Sequence, residues 1–373
     1  MKTAPVIRAL EAYRVEQSVV HTGQLDDFNM SAGFCRQLGM PAPDVNVQAG
    51  PESHAQQTAQ IMSRFEPVLK EVKPDLVVVY GDVNSTVAAA LVCSKLMVRI
   101  AHVEAGLRSF DRSMPEEINR LVTDQLCDLL FTPSEDGNRN LAREGASPGK
   151  VFFVGNVMID TLVRMLREAE ERLPADLPRK YALVALDRTS DEDELDWLTQ
   201  LISNLEKANR ELTFIFPVHP CTRQKTSPLA TTLNGNGRIR FLEPLPFAEF
   251  LALQKHAAMV ITDSGGIQEE TTFLGVPCLT VRENTDRPVT VSMGTNILVG
   301  NDARRLAKEI SLALERPGKQ GEIPPLWDGH AAERIARVIM RVGPRAAEAE
   351  KTELLGFQER SHWKEPDEQH RPS

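Results

Sequence analysis

The chain has 373 residues, 42% of them hydrophobic and 25% charged, with a formal net charge of −9. That length accommodates two domains with full cores. The acidic balance argues against nucleic acid as the main partner, since nucleic-acid phosphates favour a basic face, and no apolar run reaches the ~20 residues that span a membrane. No secretory signal is expected, and the five cysteines (Cys35, Cys93, Cys127, Cys221, Cys278) form no C-x-x-C pair. Most of them sit in apolar stretches, so buried free thiols in a reducing cytoplasm are expected. The eight histidines show no H-E-x-x-H or similar spacing, so no metal site is expected.

Short β-branched runs alternate with helical stretches along the chain. Strands are expected at 18–22, 75–80, 99–103, 129–132 and 151–154, and helices at 84–95, 115–127, 134–144 and 158–172. Asp75–Tyr80 is apolar almost throughout, as a strand buried on both faces should be. Residues 173–180 form a linker punctuated by Pro174 and Pro178. Strands then follow at 181–186, 212–218, 238–242, 259–262, 277–281 and 296–299, with helices at 191–209, 246–256, 267–274, 303–314 and 331–342. Such alternation implies two doubly wound α/β domains, at 1–172 and 181–330, facing a cleft, followed by a C-terminal helix at 331–344. The polar stretch 345–373 reads as a disordered tail.

The most informative run is Asp263-Ser264-Gly265-Gly266-Ile267-Gln268-Glu269-Glu270. A Gly-Gly pair at a strand-to-helix turn lets backbone N–H groups approach an anion, and the helix N-terminus adds partial positive charge. Glu270 follows within reach of a ribose diol. The same residues also suit a plain helix cap. In the first half, Asp82 follows strand 75–80, Glu104 follows strand 99–103, and Glu116 with Glu117 opens the helix after Met114-Pro115. Carboxylates at the ends of adjacent parallel strands converge on one crevice, where crowding and burial favour acid/base roles. Asp82 could instead cap a helix, and Glu116 and Glu117 could serve only its dipole. In the second half, His219 ends a strand, Phe247 could stack on a flat base or fill the core, and Arg282 and Arg287 could pair with a diphosphate or lie on the surface.

Several of these segments together resemble the non-hydrolysing UDP-N-acetylglucosamine 2-epimerases. They are Asp263–Glu270, His102–Arg108, Met114–Arg120, Gly81-Asp82, Phe216–Pro220 and Arg282–Pro288, in order across roughly residues 1–342. The resemblance implies a glycosyltransferase-B-like fold, a homodimer, and interconversion of UDP-GlcNAc and UDP-ManNAc without a redox cofactor. UDP is eliminated to leave a 2-acetamidoglucal and is then added back, with protonation from the other face. By position, Asp82, Glu104 and Glu116 match the acid/base carboxylates. Ser264, Gly265 and Gly266 would hold the diphosphate, Glu270 the ribose, Phe247 the uracil, and Arg287 phosphate or sugar. Lys2 falls where a family lysine contacts the nucleotide.

The chain departs from the family pattern in three places. A first strand and its Gly-Thr-Arg-Pro-Glu loop are expected upstream of Lys2, which suggests a start assigned downstream of the true one. Asp187-Arg188 stands where His-Arg is usual, which places a carboxylate beside the diphosphate, and lower activity than in a histidine-bearing relative is expected. Leu25 replaces a histidine used by some members for activation by a second UDP-GlcNAc. Three other readings remain: a UDP-sugar-binding protein without turnover, an epimerase of a modified UDP-amino sugar, and a glycosyltransferase of the same architecture.

Overall fold

The computed structural model describes residues 1–23, 33, 35–50, 52–186, 212–218, 239–315 and 319–342. In the first half, strands β1 (Val20–His21) and β2 (Val45–Asn46) form a parallel pair. Strands β3 (Leu76–Tyr80), β4 (Arg99–Val103), β5 (Leu129–Thr132) and β6 (Val151–Phe153) form a four-stranded parallel sheet in chain order. Its helices are α1 (Thr3–Glu11), α2 (His54–Val72), α3 (Asn84–Lys95), α4 (Pro115–Leu126), α5 (Glu135–Arg143) and α6 (Val157–Glu171). Alternate strand residues feed two cores. Ala101, Val103, Leu129 and Phe131 face one side, and Ile100 and Leu130 the other, against Phe65, Leu69 and Ala90. Burial on both faces explains why these strands read as continuous apolar runs rather than alternating ones.

In the second half, β7 (Tyr181–Ala185), β8 (Thr213–Pro217), β9 (Ile239–Leu242), β10 (Met259–Thr262), β11 (Cys278–Thr280) and β12 (Asn296–Leu298) form a parallel sheet in the order β12-β11-β10-β7-β8-β9. The order reverses between β7 and β10. Ligands of such sheets bind beyond the strand ends at that switch point, and β10 runs there into Asp263 and Ser264. The helices of this half are α7 (Phe247–His256), α8 (Gly265–Leu274), α9 (Pro288–Ser292) and α10 (Ala303–Glu315).

The last helix, α11 (Ala331–Val342), returns to the first half. Ala331, Ala332, Ile335, Ala336 and Ile339 repeat at three- and four-residue spacing and cover Val6, Leu10, Val103 and Phe131. Helix α6 makes a second junction. Its Leu162, Met165 and Ala169 share one core with Ala4 and with Ala248, Leu251 and Ala252 of α7.

Asp160 on α6 fastens the start of α11 by accepting from the backbone N–H of Ala331 (3.1 Å) and Ala332 (2.7 Å). Burial raises its pKa from 3.8 to about 6. A raised carboxyl pKa gives stability that is present below the unfolded value and is lost as pH rises through the folded one. The melting temperature of the parent relative to Asp160→Asn is therefore expected to fall between pH 4 and pH 7. Thermal melts of both proteins across that range check this, and a gap that grows with pH contradicts it.

Helix α2 is absent from the expected elements. It is 19 residues long and contains Pro67, which reads as a break, together with several glutamines. The Ser53 hydroxyl caps it through Gln56 N, and Lys73 ends it in the left-handed conformation at φ +51°. Its buried residues Gln57, Ile61, Phe65 and Leu69 recur every four positions, the periodic signal that the polar content hides. The expected helix at 191–209 lies outside the described residues, as does 343–373. Among the described residues no helix is long and apolar enough to cross a membrane.

Candidate active site

The strand ends of the first sheet are shaped to present carboxylates. Glu104 N and Ala105 N both donate to Phe131 O at 3.0 Å, which ends regular pairing with β5. Glu104 itself adopts φ +78°, a conformation that costs a non-glycine residue on the order of 1–3 kcal/mol. Two residues on, Gly106 is required as glycine, because a Cβ there would lie 2.5 Å from Gly137 O at φ +80°. Glu104 is thus aimed by a strained turn into a buried position, 7% exposed.

Asp82 does not cap α3, whose N-cap is Val83. Its carboxylate instead accepts from Arg120 Nε (2.9 Å) and Nη2 (2.6 Å), and its carbonyl accepts from Asn119 (2.9 Å). Glu117 is buried and structural. It accepts from Ser109 N, Ser109 Oγ, Phe110 N and Arg120 Nη1, and so holds the loop before α4. Glu116, next to it, is half-buried and has no such clamp. The helix that carries both uses one carboxylate for structure and leaves the other open.

The second half contributes the cations and the anion cradle. Arg287 donates to Glu104 (2.7 Å), to Glu269 (2.9 Å) and to Asp286. Asp286 also accepts from Arg120 Nη2 at 2.6 Å, which ties the halves together a second time, and Asn284 donates to Asp111 at 3.1 Å. Lys2 pairs with the other oxygen of Glu104. Five carboxylates (Asp82, Glu104, Glu117, Glu269, Asp286) therefore surround three cations (Lys2, Arg120, Arg287).

The electrostatics follow from that crowding. Burial disfavours the Arg287 cation, but Asp286, Glu269 and Glu104 outweigh it and hold its pKa well above the usual value. Burial likewise opposes Lys2, and the Glu104 carboxylate overcomes it and raises the ammonium. Asp286 falls to about 2 because Arg287 and Arg120 offset its burial. Glu269 rises to about 7, with burial and Glu104 outweighing Arg287. Glu270, buried on α8, rises to about 8 by burial, so it keeps its proton near neutrality and can donate as well as accept.

Ser264 is the N-cap of α8, and Gly265 and Gly266 form its first turn. The helix therefore begins two residues before the expected Ile267. The first N–H groups of a helix have no partner within it. The Arg287 guanidinium lies over this turn, since a Cβ at Gly265 would fall 2.4 Å from Nη1. Phe247 opens α7, half-buried beside the core that Ala4, Leu162 and Ala248 share. Asp187, Arg188, His219 and Leu25 lie outside the described residues.

Arg120, Glu269 and Asp286 belong to the site but were not singled out from the sequence. Glu116 and Arg120 are four apart on one helix, and Asp286 precedes Arg287; those spacings were the available signals. A separate cavity of about 320 Å³, lined by Ser134, Phe153, Pro288 and Met293, lies to one side and contains none of the clustered carboxylates. Among the described residues no group of three or more His, Cys, Asp or Glu side chains is placed to hold a metal ion.

Buried carboxylates on one wall, a helix N-terminus with an arginine on the other, and a reversed strand order beneath fit a nucleotide-sugar site. Comparison with known proteins agrees. Residues 8–340 match the family model for UDP-N-acetylglucosamine 2-epimerase. The UDP-N-acetylglucosamine 2-epimerase of Methanocaldococcus jannaschii is 40% identical over 91% of this chain and 95% of its own. The UDP-2,3-diacetamido-2,3-dideoxy-D-glucuronate 2-epimerase of Pseudomonas aeruginosa is 36% identical over 92% of this chain and 96% of its own. The crystal structure of the M. jannaschii UDP-GlcNAc 2-epimerase in complex with UDP-GlcNAc and UDP superposes with a TM-score of 0.82 at 39% identity, covering 91% of this chain and 96% of that one. Motifs, two facing Rossmann-like halves of glycosyltransferase-B type and near-complete coverage converge: this chain belongs to the UDP-N-acetylglucosamine 2-epimerase family.

Proposed function

We propose that the protein is an isomerase that interconverts UDP-GlcNAc and UDP-ManNAc. The observation that carries this reading is the Glu104–Arg287 pair, in which a buried strand-end carboxylate meets a buried cation lying over the first turn of α8. In the proposed reaction a cleft carboxylate removes the C2 proton, the C1–O bond to UDP breaks, and a C1=C2 double bond forms. UDP then adds back at C1 while C2 takes a proton on the opposite face. The steps sum to an isomerisation in which no electrons are gained or lost. Asp82, Glu104 and Glu116 are proposed to handle the protons. The first turn of α8, at Ser264, Gly265 and Gly266, with Arg287 and Lys2, would hold the departing diphosphate. Glu270 would hold the ribose and Phe247 the uracil, with Asp187 and Arg188 near the diphosphate.

Proton NMR of the protein with UDP-GlcNAc in D2O tests the reading. Deuterium at C2 and growth of UDP-ManNAc signals are expected. UDP binding without exchange would sink the reading in favour of a non-catalytic binder, and exchange confined to a diacetamido uronate substrate would move it to the modified sugar. A homodimer acting in the cytoplasm completes the proposal, with its mass in solution as the check.

A further inference from the structure

His102 is fully buried on β4 and has both ring nitrogens engaged. Nε2 faces Gly81 O at 2.9 Å and Nδ1 faces Asp124 Oδ1 at 2.6 Å. A carbonyl can only accept, so Nε2 donates to Gly81 O, while Nδ1 faces the Asp124 carboxylate. The other oxygen of Asp124 accepts from Gly106 N (3.1 Å) and from Arg108 Nη2 (2.7 Å). Arg108 is itself closed by Glu144 through two hydrogen bonds, at 2.8 and 2.6 Å. Burial works against the Asp124 carboxylate, but His102 and Arg108 outweigh it and hold its pKa below the usual range.

One carboxylate thereby reaches two catalytic turns. Through His102 it grips Gly81, the residue before Asp82. Directly it grips Gly106, two residues after Glu104. Asp124 also lies on the same helix as Glu116 and Arg120 at four-residue spacing, so one stripe of α4 carries an open carboxylate, the clamp on Asp82 and this anchor. The buried side chains of His102, Asp124 and Arg108, closed by the half-buried Glu144, contact no part of the proposed diphosphate cradle, and a core built only for stability would replace such a network with apolar packing at little or no loss.

We propose that His102, held by Asp124, is a positioning residue for proton transfer: it fixes the Gly81–Asp82 turn against the Glu104–Gly106 turn and so sets where the two carboxylates stand about C2 of the sugar. This rests on the epimerase reading above. Two substitutions separate the contacts of the ring. In His102→Gln the terminal amide overlays Nε2 and keeps a donor for Gly81 O. In His102→Asn it overlays Nδ1 and keeps only the contact with Asp124.

The test measures kcat, KM, UDP affinity by calorimetry and Tm for the parent and both variants. Misplacing a reacting group by about 1 Å costs roughly 100-fold in rate. His102→Asn is therefore expected to lose about 100-fold in kcat, while KM and UDP affinity change less than about twofold, because the UDP-binding groups lie mainly on α8. His102→Gln should recover at least about tenfold of that loss. Equal kcat in all three proteins overturns the proposal. Losses that are the same in both variants and follow Tm or UDP affinity also overturn it, since they mark a purely structural role. If the parent itself does not turn over, the epimerase reading fails instead. Crystal structures then decide the positioning role: a Gly81–Asp82 turn displaced in His102→Asn and retained in His102→Gln supports it, and an undisturbed turn in both overturns it.

Discussion

Arg287→Met is expected to lower kcat/KM about 1,000-fold and to destabilise the protein by about 3–5 kcal/mol, the range for removing one partner of a buried ion pair. The magnitude follows from the partners left behind. Glu104, Glu269 and Asp286 all receive hydrogen bonds from this one guanidinium. Glu269 already sits near 7 and takes up a proton when the cation is removed. The folded variant then binds more protons than the folded parent, so its stability deficit should widen as pH rises from 6 to 8. Thermal melts at the two pH values check the sign, and a deficit that narrows with pH would rule the account out. Arg287→Lys separates charge from shape. It keeps a cation among the carboxylates and should recover much of the stability, yet remain far below the parent in activity, because an ammonium cannot make three directed contacts from one planar fork.

Glu104→Gln is expected to abolish deuterium exchange at C2, with a loss of about 100- to 10,000-fold in kcat, the usual worth of a positioned acid or base. Binding should respond in the opposite direction. The cluster holds more carboxylates than cations, and a diphosphate adds further negative charge to it. Removing one carboxylate frees Lys2 and one arm of Arg287 from competition. UDP is therefore expected to bind the variant at least as tightly as the parent by calorimetry. Exchange within tenfold of the parent would remove Glu104 from the proton-transfer step.

What the sequence allowed to be read depended on whether its signal was local. Helix α3 begins at Asn84 and ends at Lys95, as expected from an apolar run with a clear start. Strand β4 likewise runs from Arg99 to Val103. Helix α2 was lost to Pro67 and its glutamines, where burial against the sheet outweighs weak local preference. In the site, Asp82 and Glu104 were legible because each follows a strand end, and Arg287 because it lies in the loop that leads from β11 to α9; the structure brings the three into one ion-pair network. Glu269 stayed hidden because two adjacent glutamates look alike in sequence. The structure distinguishes them, since Glu269 accepts from Arg287 and Glu270 does not. Asp124 and His102 were hidden for a different reason: their meaning lies in backbone groups of two other turns, and no spacing within the chain encodes that.

The return of α11 to the first half has a consequence for how the molecule can be divided. Read along the chain, residues 173–180 look like the place to separate two self-sufficient units. Severed there, the first piece would leave Val6, Leu10, Val103 and Phe131 without the helix that covers them. The second piece would carry that helix with its apolar stripe facing water. A working split would have to pass the final helix back across the cut, so the two halves are one folding inheritance shared by a chain that crosses between them more than once.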